Sequence, residues 1–168
     1  MTNVDELAMA RPCMCASVRR VSRALTNLYD DILAPSGLRV MQFSLLAHLV
    51  NVDEATLTRL AEVQMIDRTT LTRGLAPLER DGLVTVTAGT DRRTRIVRIT
   101  DAGRAAIRRA FPYWREAQQQ IITGLGGEQF SALLGEMEAL SAVTALGHMM
   151  LHIYWQSCSP DPILRYST

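Results

Sequence analysis

The sequence predicts a mainly α-helical fold with a small antiparallel β-hairpin set into it. Apolar residues recur at helical spacing along most of the chain, two short stretches between residues 83 and 99 switch to strict alternation, and turn-forming residues mark each change. The 168 residues, 48% of them hydrophobic, are enough for one domain with a real core.

Residues 1–11 read as a loose tail. From about Pro12 to Leu33, Val18, Val21, Leu25, Leu28 and Ile32 step by three and four, which predicts a helix with one buried stripe and Pro12 in its first turn. Ala34-Pro35-Ser36-Gly37 ends it. A second helix over about Val40–Val50 buries Phe43, Leu46, Leu49 and Val50, and a polar turn follows from Asn51 to Ala55. Two short helices come next, about Thr58–Gln64 and Arg68–Asp81. Thr58 and Asp67 suit their N-caps, where a side-chain oxygen accepts from an otherwise orphaned amide. Joined by Met65-Ile66-Asp67, the pair makes a helix-turn-helix. Pro77 removes the bond to the Arg73 carbonyl and predicts a kink or a loosened turn.

After Gly82 the periodicity changes. Leu83-Val84-Thr85-Val86-Thr87 and Arg95-Ile96-Val97-Arg98-Ile99 alternate as strands, with a polar loop over Ala88–Thr94 that carries Arg92 and Arg93 at its tip. The apolar sides of both strands can cover the helix pair, so the loop projects into solvent as a wing. Helical patterning resumes after Thr100, a second capping residue, through Ile107, Ala110, Phe111, Trp114 and Ile121 to Gly124–Gly127, with a bend at Pro112. A last helix spans about Glu128–Trp155, and the tail with Pro160 and Pro162 reads as irregular. The terminal helices are long and apolar-striped beside a nearly self-sufficient centre. Such stripes need a partner, and a second copy supplies the same stripes, so a C2 homodimer with interleaved first and last helices is expected.

Charge is distributed unevenly. The formal net charge is only +1, yet residues 56–100 hold eight Arg against five acids, a net +3 between neutral or acidic flanks. A local basic patch matters more to a polyanion than the total. All 18 basic residues are Arg and none is Lys. Genomic base composition is a sufficient cause, but every cation is then a planar fork suited to phosphate. No apolar run approaches the roughly 18 residues of a membrane span, and the start lacks a signal-like stretch, so a cytoplasmic protein without membrane association is expected. Three cysteines argue against a disulfide framework.

The run Asp67-Arg68-Thr69-Thr70-Leu71-Thr72-Arg73, then Leu78-Glu79-Arg80-Asp81-Gly82-Leu83-Val84, resembles the recognition helix of MarR-family transcriptional regulators. Asp91-Arg92-Arg93 followed by Ile99-Thr100-Asp101-Ala102-Gly103 is similar to that family's wing signature, and matching element order covers about residues 12–155. The resemblance implies one MarR-like domain over 1–168. Residues 12–34 and 101–155 would be dimerisation helices, and 38–100 a winged helix-turn-helix lobe. It implies a dimer on a pseudo-palindromic double-stranded DNA operator, usually a repressor released by a ligand or by oxidation. The physical reading agrees: Arg68, Thr69, Thr70 and Arg73 face outward from a helix capped by Asp67. An Arg can take guanine O6 and N7 bidentately, and a Thr methyl can touch a thymine methyl. Arg68 or Arg73 can equally bind phosphate, which positions without specifying. From the family, Arg93 inherits the minor-groove contact and Asp91 its orientation, and Arg92 and Arg95 are backbone-contact candidates. The competing reading makes these Arg a solvated face with surface ion pairs. Two Arg at a hairpin tip beside a capped helix favour DNA.

The sensor end is less defined. In the resemblance, an effector pocket lies between the dimerisation helices and the DNA-binding lobe, with the effector itself unidentified. Cys15, Ser22-Arg23 and Tyr29 have the spacing of the peroxide-sensing OhrR branch, in which a cysteine is oxidised and a tyrosine hydrogen-bonds it. A helix N-terminus suits a reactive thiol, since the helix dipole favours the anion. The chain departs from that branch in its extra Cys13, in Arg19 where the branch has tyrosine, and in lacking the usual resolving cysteine, a role open to Cys158. Small buried apolar side chains are the alternative reading of these thiols. His148 and His152 stand at i and i+4, so both can face one ligand, but a zinc site needs more donors, with Cys13, Cys15 or Cys158 as candidates. No metal and no cofactor are expected. Trp114, Tyr113, Phe111 and His48 read as an aromatic-acid pocket or, by the commoner rule, as core.

An enzyme built on Cys15 is disfavoured because no His lies near it in sequence and no Gly-rich phosphate loop or carboxylate pair appears. A protein-binding winged helix without a DNA role is disfavoured by the exposed cations of the wing.

Overall fold

The computed structural model describes residues 13–89, 91 and 94–143. The expectations on Pro12, Arg92, Arg93, His148, His152, Cys158 and the last helix beyond residue 143 lie outside the described residues. The order of elements is α1 (Met14–Leu33), α2 (Val40–Val52), β1 (Glu54–Thr56), α3 (Leu57–Val63), α4 (Arg68–Arg80), β2 (Val84–Ala88), β3 (Arg95–Ile99), α5 (Asp101–Leu125) and α6 (Gly127–Val143). The fold is mainly helical with a small antiparallel sheet, as the periodicity predicts. No helix among the described residues is long and apolar enough to cross a membrane.

Two expectations need correction between residues 51 and 58. The segment read as a polar turn finishes α2 and then forms β1, which pairs antiparallel with β3 in the sheet order β1-β3-β2. A strand this short carries no alternation to read. It is fixed by tertiary partners instead: Ala55 stands opposite Val97, and Glu54 pairs with Arg98 across the strands. The cap of α3 is Thr56, whose hydroxyl accepts from the Arg59 amide at 3.1 Å, not Thr58, because the helix starts one residue earlier at buried Leu57.

Leu33, Leu45, Leu46, Leu49, Leu60, Leu71, Leu78, Val84 and Val97 are fully buried and join α1, α2, α3, α4 and the sheet in one core. Each buried Leu contributes about 1.5–3 kcal/mol. The stripe expected on α1 is only partly covered. Leu25, Leu28 and Ile32 are half-buried, but Val18 and Val21 are exposed, and so are Leu133, Met137 and Leu140 on α6. Among the described residues these side chains stay exposed.

The corner between α1 and α2 is closely bonded. Ser36 Oγ donates to the Leu33 carbonyl at 2.7 Å, and Gly37 turns the chain with φ +78°. Arg39 stands at the N-cap of α2 and has no side-chain acceptor to offer. Asp30 of α1 supplies one: its Oδ1 accepts from the Val40 amide at 2.7 Å and its Oδ2 from Arg39 Nη1 at 3.0 Å, while Gln42 Oε1 accepts from the Arg39 amide. On the other side, α5 packs against α2 through a stacked run of rings, Phe43 on Trp114 at 5.7 Å and Trp114 on Phe111 at 5.6 Å. Arg104 of α5 pairs with Asp53 at the end of α2, and the Tyr29 hydroxyl of α1 donates to Gln118 Oε1 of α5.

Candidate nucleic-acid interface

The helix pair α3–α4 is joined by a tight turn. The Met65 amide donates to the Glu62 carbonyl and the Ile66 amide to the Ala61 carbonyl, each at 3.0 Å, with Met65 in the left-handed region at φ 51°. These two bonds close the C-terminus of α3 and aim the chain into Asp67.

Asp67 then starts α4. Its Oδ1 accepts from the Thr69 and Thr70 amides at 2.9 Å each, and its Oδ2 accepts from the Thr70 hydroxyl at 2.5 Å. The Thr70 hydroxyl first, and the amides after it, hold the Asp67 carboxyl below its ordinary range. Leu71, Leu75 and Leu78 bury one face of the helix. At 100° per residue, the row opposite them is Thr69, Arg73, Ala76 and Arg80, flanked by Thr70 and Thr72; all six are exposed, as is Arg68 in the first turn. Arg80 pairs with Asp81, whereas Arg68 and Arg73 have no ion pair among the described residues. Sequence reasoning assigned Arg68, Thr69, Thr70 and Arg73. It missed Thr72 and Ala76, which the same helical spacing places on that face. Thr70 is exposed, but its hydroxyl is engaged by the cap.

The hairpin β2–β3 stands beside this helix. Gly89 donates to the Thr94 carbonyl and the Thr94 amide to the Asp91 carbonyl, both at 2.8 Å. Asp91 and Arg95 are exposed. Arg98, three residues further from the tip than Arg95, is engaged by Glu54. The base of the hairpin is locked to α5: the Thr100 hydroxyl donates to the Gly82 carbonyl at 2.7 Å and accepts from the Gly103 amide at 3.1 Å.

The sensor candidates are arranged differently. Cys13 and Cys15 are exposed free thiols at the start of α1. Tyr29 lies fourteen residues after Cys15 on the same helix, on the order of 21 Å along its axis, and donates to Gln118. One chain therefore does not bring the two together. Phe111, Tyr113 and Trp114 pack against the core and His48 is buried in the lobe, so these four belong with the core. Burial first, then the positive charge of Arg59, pushes the His48 imidazole below its ordinary pKa. An apolar hollow of about 330 Å³ lies between α1, Val40 and Met137, with Tyr29 at its edge. No group of three or more metal-ligating side chains occurs among the described residues.

A helix-turn-helix whose second helix is capped, exposed and arginine-bearing, with a β-hairpin beside it, is a winged helix-turn-helix DNA-binding module. The family model described as the MarR family matches residues 36–94. The transcriptional regulator MosR of M. tuberculosis, in complex with DNA, is 39% identical over 76% of this chain and 97% of that one, with a TM-score of 0.64. MosR without DNA is 37% identical, covers 77% of this chain and 98% of that one, and has a TM-score of 0.63. BpsR of Bordetella bronchiseptica, whose DNA binding is regulated by 6-hydroxynicotinic acid, has the same fold at 21% identity, covering 79% of this chain and 96% of that one with a TM-score of 0.71. No curated protein matches the chain. The chain belongs to the MarR family of DNA-binding transcriptional regulators, which are not enzymes.

Proposed function

We propose that the chain acts as a cytoplasmic C2 homodimer that grips a pseudo-palindromic operator and represses transcription until a small-molecule effector releases it. The observation that carries the DNA contacts is the α4 row opposite the core, where Arg73 stands exposed beside Thr69 and Ala76 and, among the described residues, without an ion pair. Set in the major groove, Arg73 takes a guanine edge and the Thr and Ala methyls meet thymine methyls. Thr70 at the edge of that row and Arg68 in the first turn of the helix suit phosphate. Asp91, Arg92, Arg93 and Arg95 form the wing contacts, with Arg93 in the minor groove. The single domain spans 1–168, with 38–100 as its reading lobe.

The exposed apolar side chains at both ends support the dimer, since Val18 and Val21 of α1 and Leu133, Met137 and Leu140 of α6 are stripes that a second copy would bury. The regulation of BpsR by a small acid supports an effector here. Selection from a random duplex library, followed by anisotropy titration, tests the reading. A selected duplex should bind a dimer of the full chain, Arg73→Ala should weaken it about 10-fold or more, and affinity should fall steeply with salt. Undiminished binding by both Arg73→Ala and Arg93→Ala overturns the contact map, and a stable monomer by light scattering overturns the dimer.

A second reading keeps the DNA module and makes a thiol the switch. The exposure of both Cys13 and Cys15 at the first turn of α1 favours it. A peroxide would oxidise the Cys15 thiolate to the sulfenic acid and leave as the alcohol, with Cys13 or Cys158 available to condense on it and release water. Cys15→Ser should then abolish peroxide-induced release of DNA, and unchanged release removes the idea.

A further inference from the structure

We propose that the middle of α4, from Thr72 to Pro77, is a hinge that sets how sharply the protein discriminates among half-sites. The inference rests on the reading of α4 as the helix that enters the groove. Gly74 is the first observation. It sits in the helix interior, it is absent from the glycines with positive φ, and a Cβ added to it would lie 3.5 Å from Met41 Sδ and 3.6 Å from Met41 Cε. Those are ordinary contacts, so neither the backbone nor the available space demands glycine. Glycine nonetheless weakens a helix interior relative to alanine.

Two neighbours weaken the same stretch. Pro77 has no N–H to give to the Arg73 carbonyl, and its ring crowds that oxygen. The Thr72 hydroxyl donates to the Arg68 carbonyl at 2.7 Å, a back-bond that tends to bend helices. Both ends of α4, by contrast, are pinned. Asp67 holds the first turn with three bonds, and at the far end the Leu83 amide closes on the Leu78 carbonyl at 2.8 Å around left-handed Gly82. Arg73 therefore sits at the pivot of a helix that is firm at its ends and soft at its centre. A small bend changes the separation between the Thr69 and Ala76 ends of the reading row while Leu71 and Leu78 stay packed. A yielding helix can follow half-sites of differing groove shape, whereas a stiff one fits a single shape and penalises the rest.

The test uses the full-length protein and the duplex that wild type enriches from a random library, with single base-pair changes placed across one half-site. Gly74→Ala should raise Tm by about 2–4 °C. It should keep the Kd for the enriched duplex within about twofold while enlarging the penalty for changed half-sites about threefold or more. Pro77→Ala, which restores the missing donor, should move the penalties in the same direction, and amide exchange over residues 74–78 should slow in both variants. A lower Tm for Gly74→Ala, showing that packing requires the glycine, overturns the inference, as do unchanged mismatch penalties in both variants. If wild type enriches no duplex, the DNA reading itself fails. If it enriches one and the variants discriminate as wild type does, only the hinge is lost.

Discussion

Substitution of Gly103 by Ala should destabilise the protein, although the residue lies in a helix and alanine is the better helix former. Gly103 is buried in the first turn of α5, under the base of the hairpin. A Cβ there would stand 2.2 Å from the Leu83 carbonyl oxygen, 2.9 Å from Ile99 Cγ1 and 3.1 Å from the Leu83 carbonyl carbon. The nearest of these is backbone, which cannot rotate away as a side chain would. Either α5 lifts off the hairpin or the Leu83 peptide moves, and the Leu83 carbonyl also accepts from the Thr100 amide at 3.1 Å. Overpacking costs about 1–3 kcal/mol. Disturbing the Thr100 cap adds about 1 kcal/mol. The propensity gain of alanine offsets about 1 kcal/mol. The net loss is about 1–3 kcal/mol, and for a chain of this size each kcal/mol moves Tm by roughly 2–4 °C. A backbone clash belongs in the upper half of that range, so the expected drop is about 4–12 °C by differential scanning calorimetry. Gly74→Ala serves as the matched control, since the same atoms are added where there is room for them. A Gly103→Ala variant as stable as wild type, or both variants moving Tm the same way, refutes the packing argument.

Other expectations follow from the same geometry. Asp67→Ala should lower Tm by about 1–4 °C and weaken DNA binding, because the first turn of α4 loses its cap. The folded carboxyl of Asp67 is held low, so its contribution is complete above the ordinary carboxylate range and disappears as pH falls through the lowered value; the variant should show a smaller acid loss by urea titration. Burial first, then the charge of Arg59, lowers the pKa of the His48 imidazole in the folded state, whereas the unfolded chain takes up a proton below about pH 6.5. Stability should therefore fall as pH drops from about 6.5 toward the lowered folded value and level off beneath it, and His48→Gln should flatten that part of the urea-midpoint profile. Arg95→Ala should reduce the salt slope of DNA binding by about one unit with little change in base preference, as a phosphate contact does. A changed consensus would make Arg95 a base reader instead.

The reading unit was legible in the sequence because its signals are local. Asp67 caps the helix it immediately precedes, Leu71, Leu75 and Leu78 repeat at the helical period, and Arg95–Ile99 alternates over a full strand. What was not legible depends on distant partners. Nothing within Glu54-Ala55-Thr56 announces a strand; it becomes one because β3 offers Val97 and Arg98 across from it. Met65 gives no sign of its left-handed backbone, which the turn between α3 and α4 imposes on a residue type that ordinarily avoids it. The aromatic residues of α5 were ambiguous for the same reason, since only the approach of Phe43 from α2 makes Trp114 a packing residue. Thr72 and Ala76 are a different case: the helical spacing that placed Arg73 on the exposed face places them too.

The bonds around the α1–α2 corner bear on how a signal at the ends of the chain can reach the reading helix. Asp30 of α1 caps α2, Tyr29 of α1 is bonded to Gln118 of α5, and α5 is joined to α2 by the Phe43–Trp114–Phe111 stack and the Arg104–Asp53 pair. These contacts form a closed ring of three helices, and a motion at the corner must break several of them together. Gly37, the flexible residue in the connection, is bracketed by Ser36, whose Oγ donates to the Leu33 carbonyl and accepts from the Leu38 amide. A rotation of α1 therefore carries α2 with it, and through the shared core of Leu45, Leu49, Leu71 and Leu75 it carries α4. A change of position at the thiol-bearing start of α1, or in the hollow beside Val40, would then appear as rigid displacement of the whole reading head rather than as bending of the connection. In the proposed dimer, half-sites on one face of B-DNA would lie about 34–36 Å apart, so two heads displaced by a few ångströms would no longer match both grooves at once.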